Sequence, residues 1–123
     1  MIFVENKYSD YSINTEITVK ELLDKYVNHC TKSGKWQAQT LTENRGRINN
    51  YIIPIIGDVY LSHISPRSLQ SYFDDLRFRQ AVKGNHKNEP GNISTRTIED
   101  IKKIVSPAFS YAVRMNYISL NPA

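Results

Sequence analysis

What this sequence lacks narrows the field before anything it contains. One cysteine, Cys30, in 123 residues rules out an internal disulfide and suits a reducing compartment. No stretch approaches the roughly 18 apolar residues of a membrane-spanning helix. The opening MIFVENKYSDYS holds acidic residues and no long apolar run, so it is not a secretory signal. A cytoplasmic protein without a membrane partner is expected. Catalytic patterns are missing too. His29, His63 and His86 have neither a cysteine pair nor HExxH spacing to hold a metal. There is no GxSxG elbow, no GxGxxG and no phosphate-cradling glycine loop. Asp74 with Asp75 and Glu99 with Asp100 are neighbours on predicted helices; their side chains diverge, cannot share a proton, and read as solvated charges. No cofactor, metal, small-molecule substrate or covalent chemistry is expected of this chain.

What is present is ordinary globular material, 40% apolar and 23% charged, enough for one domain with a real core. The net charge of +4 admits a nucleic acid or an anionic surface without requiring either. Its distribution is more telling. Up to Thr31 there are three basic residues (Lys7, Lys20, Lys25) against five acidic ones, whereas the remainder holds 13 basic and 7 acidic. The positive charge belongs to everything after the first helix.

Residues 1–17 keep no sustained period and read as a tail or linker; residues 18–123 read as the domain. Thr18 and Glu21 make a capping box, and Val19, Leu22, Leu23, Tyr26, Val27 and Cys30 give the first helix its apolar stripe, stopped by Gly34. On that stripe Cys30 reads as core filler, and Trp36, the single tryptophan, as a core anchor in the loop with Lys32 and Lys35. Thr40 and Glu43 form a second capping box. Leu41, Ile48, Tyr51, Ile52 and Ile55 then fall on one face, opposite Arg45, Arg47, Asn44, Asn49 and Asn50. Pro54 is expected to end this helix and Gly57 to free the turn. Gly46 costs the helix about 1 kcal/mol relative to alanine.

After Val59, Leu61 and Ile64, Ser65 and Pro66 start a third helix with Leu69, Tyr72, Phe73 and Leu76 inward, fading near Gln80. Residues 81–92 read as a basic-flanked loop, either solvated or touching DNA. Ser94 caps the last helix, with Ile98, Ile101, Val105, Ala108, Phe109 and Ala112 inward, Pro107 expected to kink it and Asn116 to end it. Its start, with Ser94, Thr95 and Arg96, has hydroxyls, free N–H groups and a cation, an arrangement suited to phosphate.

This ordered set resembles the N-terminal, core-binding (SAM-like) domain of tyrosine recombinases, the phage-integrase family. The residues that carry the likeness are TVKELLDKYVNHC, then Thr40, Ile48 and Ile52, Pro54 and Gly57 in IIPIIG, Leu61, ISPRSLQSYFDDL, and STRTIEDIKKIVSPAFSYAVRMNYISLNPA ending on Asn121-Pro122. They span roughly residues 18 to 123. The chain departs from the family at Asn44, where an aromatic is usual, at Gly46, at Pro107 and in the length of the 81–92 loop.

The resemblance implies an all-α, four-helix domain that forms one half of a C-shaped clamp on the core recombination site of double-stranded DNA. It implies that the catalytic Arg, Lys, HxxR and nucleophilic Tyr lie in a further domain. No HxxR occurs in this sequence, which reads as a fragment of an integrase. It also implies that the second and fourth helices face the major groove. Arg45, Arg47, Lys102 and Lys103 would then neutralise phosphates, and Asn44, Thr95 and Arg96 would reach base edges. Lys35, Thr40 and Ser94 complete the expected DNA-binding set. The parent is expected to oligomerise on DNA and the isolated domain to be monomeric. Two other readings stay open from the residues themselves. One is a helical protein-interaction module for an acidic partner. The other is a stand-alone helix-turn-helix repressor, disfavoured because the inter-helix loops are long.

Overall fold

A computed structural model describes residues 17–79 and 93–123. The expectations for the tail, residues 1–16, and for the 81–92 loop lie outside the described residues. Four helices carry the fold: α1 (Val19–Lys32), α2 (Ala38–Arg47), α3 (Pro66–Leu76) and α4 (Thr95–Arg114). Among the described residues there is no strand, only an isolated antiparallel bridge between Thr18 and Tyr60.

The start of α1 is closed by the chain itself. Thr18 Oγ1 accepts from the Glu21 amide at 3.2 Å, and the Glu21 carboxylate reaches back to the Thr18 amide at 2.9 Å. The next two orphan amides, Val19 and Lys20, donate to the carbonyls of Val59 and Gly57, each at 2.9 Å. Gly34 then stops the helix in the left-handed region, at φ 78°.

α2 differs from expectation at both ends. It begins at Ala38 with Gln37 as its cap residue, so Thr40 lies exposed in the first turn and caps nothing. Glu43 instead accepts from Gln39 Nε2 at 3.3 Å. The earlier start follows from the preceding loop: the Trp36 amide is tied to the Cys30 carbonyl, and Ala38 and Gln39 are good helix formers.

Pro54 does not end the helix. From α2 the chain continues as a π-helical segment, Ile48–Ile52, and then a last α-turn, Ile53–Ile56, which contains the proline. The wider π-turn relaxes the clash between the proline ring and the carbonyl four residues back. Asn49 and Asn50, the residues five and four positions before Pro54, are both exposed. The extra residue brings Ile48, Tyr51 and Ile52 all into the core. On the buried side the Tyr72 hydroxyl donates to the Tyr51 carbonyl at 2.7 Å.

Gly57 is needed for space rather than for a turn. Its backbone is right-handed helical (φ −59°, ψ −33°), yet a Cβ there would sit 2.5 Å from the Ile53 carbonyl oxygen and 2.9 Å from Ile53 Cα. Gly46 is the opposite case, with nothing within 4 Å of an added Cβ.

α3 opens on Ser65, whose side chain accepts from the Ser68 amide, and stops at Leu76, short of Gln80. The Ile93 amide donates to the Arg79 carbonyl at 2.9 Å. α4 is capped by Ser94 and runs unbroken through Pro107. Asn116 ends it at φ 64°, with its own amide on Val113 and the Tyr117 amide on Ala112, a Schellman arrangement with asparagine at the left-handed position. The chain then folds back along α4: Asn121 Nδ2 donates to the Ser106 carbonyl at 3.1 Å and to Ser110 Oγ at 2.9 Å.

The core lies between all four helices. Cys30 is fully buried in it, and Trp36 packs edge-on to Tyr26 at 5.6 Å as a half-buried anchor. Burial raises the Tyr26 phenol well above its ordinary pKa, with the neighbouring Cys30 thiol adding to the shift; burial also raises Tyr72 and Tyr111.

Candidate nucleic-acid interface

The ten residues expected to meet DNA do not share one face. Residues two apart on a helix point about 200° apart at 3.6 residues per turn, and the neighbours of Arg45 and Arg47 differ accordingly. Arg45 lines a groove against α1 with Leu23, Asp24, Val27, Asn28, Ile48 and Asn49, a cavity of about 220 Å³. Arg47 reaches the other way, to α4, where its Nη2 lies 3.3 Å from Asp100 Oδ2. Its Nη1 donates to Asn44 Oδ1 at 2.9 Å. Asn44 is 9% exposed, so a residue expected at base edges serves as an internal acceptor for Arg47. A polar side chain is at home there because the guanidinium satisfies it.

The same division separates Lys102 from Lys103. Lys102 faces α3, with its ammonium 5.4 Å from the centre of the Phe73 ring and 3.8 Å from Glu99. Lys103 is exposed on the outer side of α4. Arg96 is more open still, its side chain 88% exposed with Nε 3.9 Å from Asp100 Oδ2. Ser94 Oγ is committed to the Thr97 amide at 3.1 Å, while Thr95 is exposed beside it.

Lys35 sits at the far end of the bundle, its Nζ donating to the Tyr26 hydroxyl at 3.4 Å. The Tyr26 ring packs tilted against Tyr111, near the C-terminus of α4, which is about 24 Å along the helix from Thr95 at 1.5 Å per residue. Thr40 is exposed near the start of α2.

Two residues gain importance that the sequence did not give them. Asp100, read as a solvated charge, joins α2 to α4 through Arg47 and also touches Arg96. Only the second contact was readable, as an i,i+4 pair. Arg114 falls close to the line of Arg96 and Lys103 on the outer side of α4, its guanidinium 5.8 Å from the Tyr111 ring centre. Its spacings of 18 and 11 residues from those two could have been read from the helix period. Among the described residues no group of His, Cys, Asp and Glu is placed to hold a metal ion, and no helix is long and apolar enough to cross a membrane.

These observations define a small all-α domain whose second and fourth helices are joined by an arginine–carboxylate bridge flanked by exposed cations. Residues 18–77 match the family described as phage integrase, N-terminal SAM-like domain. The match is to this domain and not to the catalytic domain.

No curated protein sequence matches the chain. Among solved structures it is similar to an integrase-like domain from Bacillus cereus, at 24% identity and a TM-score of 0.66, covering 87% of this chain and 79% of that one. It is also similar to a domain of a candidate phage integrase protein from Nitrosospira multiformis, at 20% identity and a TM-score of 0.66, covering 90% and 82%. A fragment of a Clostridium leptum protein gives 17% identity and a TM-score of 0.62, covering 86% and 82%. At these identities the likenesses speak for the fold, which is the expected all-α SAM-like domain.

Proposed function

We propose that this chain is the DNA-binding, core-binding domain of a site-specific tyrosine recombinase, gripping one side of the core recombination site during integration or excision. The observation that carries the reading is the joined surface of α2 and α4, where Arg47 and Arg96 meet on the Asp100 carboxylate and Lys103 is exposed on the outer side of α4. In the family these two helices are expected to face the major groove. Lys103 and the loosely paired, exposed Arg96 can neutralise phosphates, and Thr95 and Arg96 are the exposed candidates for base edges. Arg45 and Lys102, turned toward α1 and α3, are secondary contacts at most, and Lys35 is too distant to join them.

With Arg47, Arg96 and Lys103 engaged, about three phosphates are neutralised, and the log–log salt slope should be near −3. The test is a titration of the domain with duplex DNA, following amide shifts. Perturbations should centre on α4 around Arg96 to Lys103 and on α2 around Arg47. Shifts confined to α1 and α3, or affinity unchanged between about 50 and 200 mM salt, would refute the reading. Insensitivity to salt would favour the protein-interaction alternative. The isolated domain should elute as a monomer, with oligomers forming only when the parent recombinase assembles on its site in the cytoplasm.

A further inference from the structure

Resting on that reading, we infer that Asp100 is a built-in competitor for phosphate that holds down the domain's affinity for non-specific DNA. A single carboxylate oxygen, Oδ2, takes both arginines: Arg47 Nη2 at 3.3 Å and Arg96 Nε at 3.9 Å. The two contacts are unequal. Arg47 is mostly covered, with a side-chain exposure of 28%, and is fixed on its other edge by Asn44. Arg96 is 88% exposed and held at the limit of an ion pair, so it can swing to a phosphate at little cost. Asp100 itself is partly open, with 22% of its side chain exposed. A phosphate approaching Arg47 or Arg96 therefore meets a fixed negative charge within the same patch.

The consequence is graded. The carboxylate removes roughly one of the three positive charges from the patch and repels the phosphates that the other two attract. Non-specific duplex, bound almost wholly through phosphates, loses the most. A site offering base-edge contacts keeps those, since they do not depend on the net charge of the patch. Asp100 thus acts through the arginines as a positioning and attenuating residue, and it trades affinity for discrimination.

The experiment uses Asp100→Asn, which keeps the shape and one acceptor for Arg47 but removes the charge. On random-sequence duplex, the variant should bind about five-fold more tightly than wild type near 50 mM salt, with a salt slope steeper by about one unit. The difference should shrink toward high salt as the charges are screened. Asp100→Glu should restore the wild-type slope, and Arg96→Gln in the Asp100→Asn background should cancel most of the gain. If Asp100 only braces α2 against α4, the variant will melt lower and its salt slope will stay at the wild-type value, which overturns the inference. Unchanged or weaker binding by a variant that melts normally overturns it as well. Wild-type domain that shows no salt-dependent binding defeats the DNA-binding reading itself, a result distinct from the other two.

Discussion

Gly57 and Gly46 belong to the same run of helix and should respond to alanine with opposite signs. At Gly57 the added Cβ meets backbone, the Ile53 carbonyl oxygen at 2.5 Å and Ile53 Cα at 2.9 Å. No rotamer change can relieve either contact. Restoring an ordinary 3.4 Å separation from the oxygen needs a shift of roughly 0.9 Å. That shift strains two backbone hydrogen bonds: the Gly57 amide on Ile53 at 3.0 Å and the Lys20 amide on the Gly57 carbonyl at 2.9 Å. Overpacking of this kind costs about 1–3 kcal/mol, and each weakened bond adds about 1 kcal/mol or less. Against this, alanine gains about 0.4–1 kcal/mol by restricting the unfolded chain, because the native φ suits it. Gly57→Ala should therefore lose about 2 kcal/mol, or about 8–10 °C of melting temperature for a domain of this size. Gly46→Ala meets nothing within 4 Å; it should gain up to about 1 kcal/mol from helix propensity. Thermal and urea unfolding of both variants, followed by circular dichroism, measures the difference. If Gly57→Ala matches or exceeds wild type, or if both variants move the same way, the close approach to Ile53 is not what glycine supplies at position 57.

Two further outcomes follow from the buried tyrosines. Tyr72→Phe removes the hydroxyl that donates to the Tyr51 carbonyl across the π-turn; it should lower stability by about 1–2 kcal/mol, read as a drop in urea midpoint, and an unchanged midpoint would show that this bond contributes nothing. Tyr26 and Tyr72 are both raised above the ordinary tyrosine pKa by burial, so the folded domain keeps protons that the unfolded chain releases above about pH 10. The stability these groups contribute is fully present below that pH and is lost as pH climbs beyond it. Urea midpoints should match at about pH 8 and pH 9 and fall by about pH 11; a midpoint that holds at the higher pH would contradict the burial argument.

Much of the fold was legible because it is written in local chemistry. The Thr18–Glu21 box, the Ser65 and Ser94 caps and the Gly34 and Asn116 stops all act within a few residues of themselves. The apolar stripes of α1, α3 and α4 follow a single unbroken helical period, and their members are the ones buried. The second helix was less legible because its period is not constant. Ile48–Ile52 inserts an extra residue, and that same insertion lets Pro54 stay inside the helix where the α rule would end it. Thr40 and Glu43 had the right letters for a cap, but the loop tied down at Trp36 delivers the chain to Ala38 first.

The candidate site was the least legible. A run such as Arg45–Arg47 or Lys102–Lys103 reads as one basic cluster in sequence, yet the helix sends each member to a different neighbour. Whether a given arginine is free or paired depends on a carboxylate more than fifty positions away, as with Arg47 and Asp100. No local pattern announces that pairing.

The closure of α1 by Gly57 and Val59 also bears on how the domain assembles. The first two helical amides find their acceptors some forty positions later in the chain, and the Leu61 amide returns to Ile17 in the same joint. A peptide ending before residue 57 would lack these partners, so its first turn should fray while its Thr18 box still forms. The N-terminal turn of α1 is then complete only once residues 57–59 have docked beside it, which requires closing a loop of about forty residues.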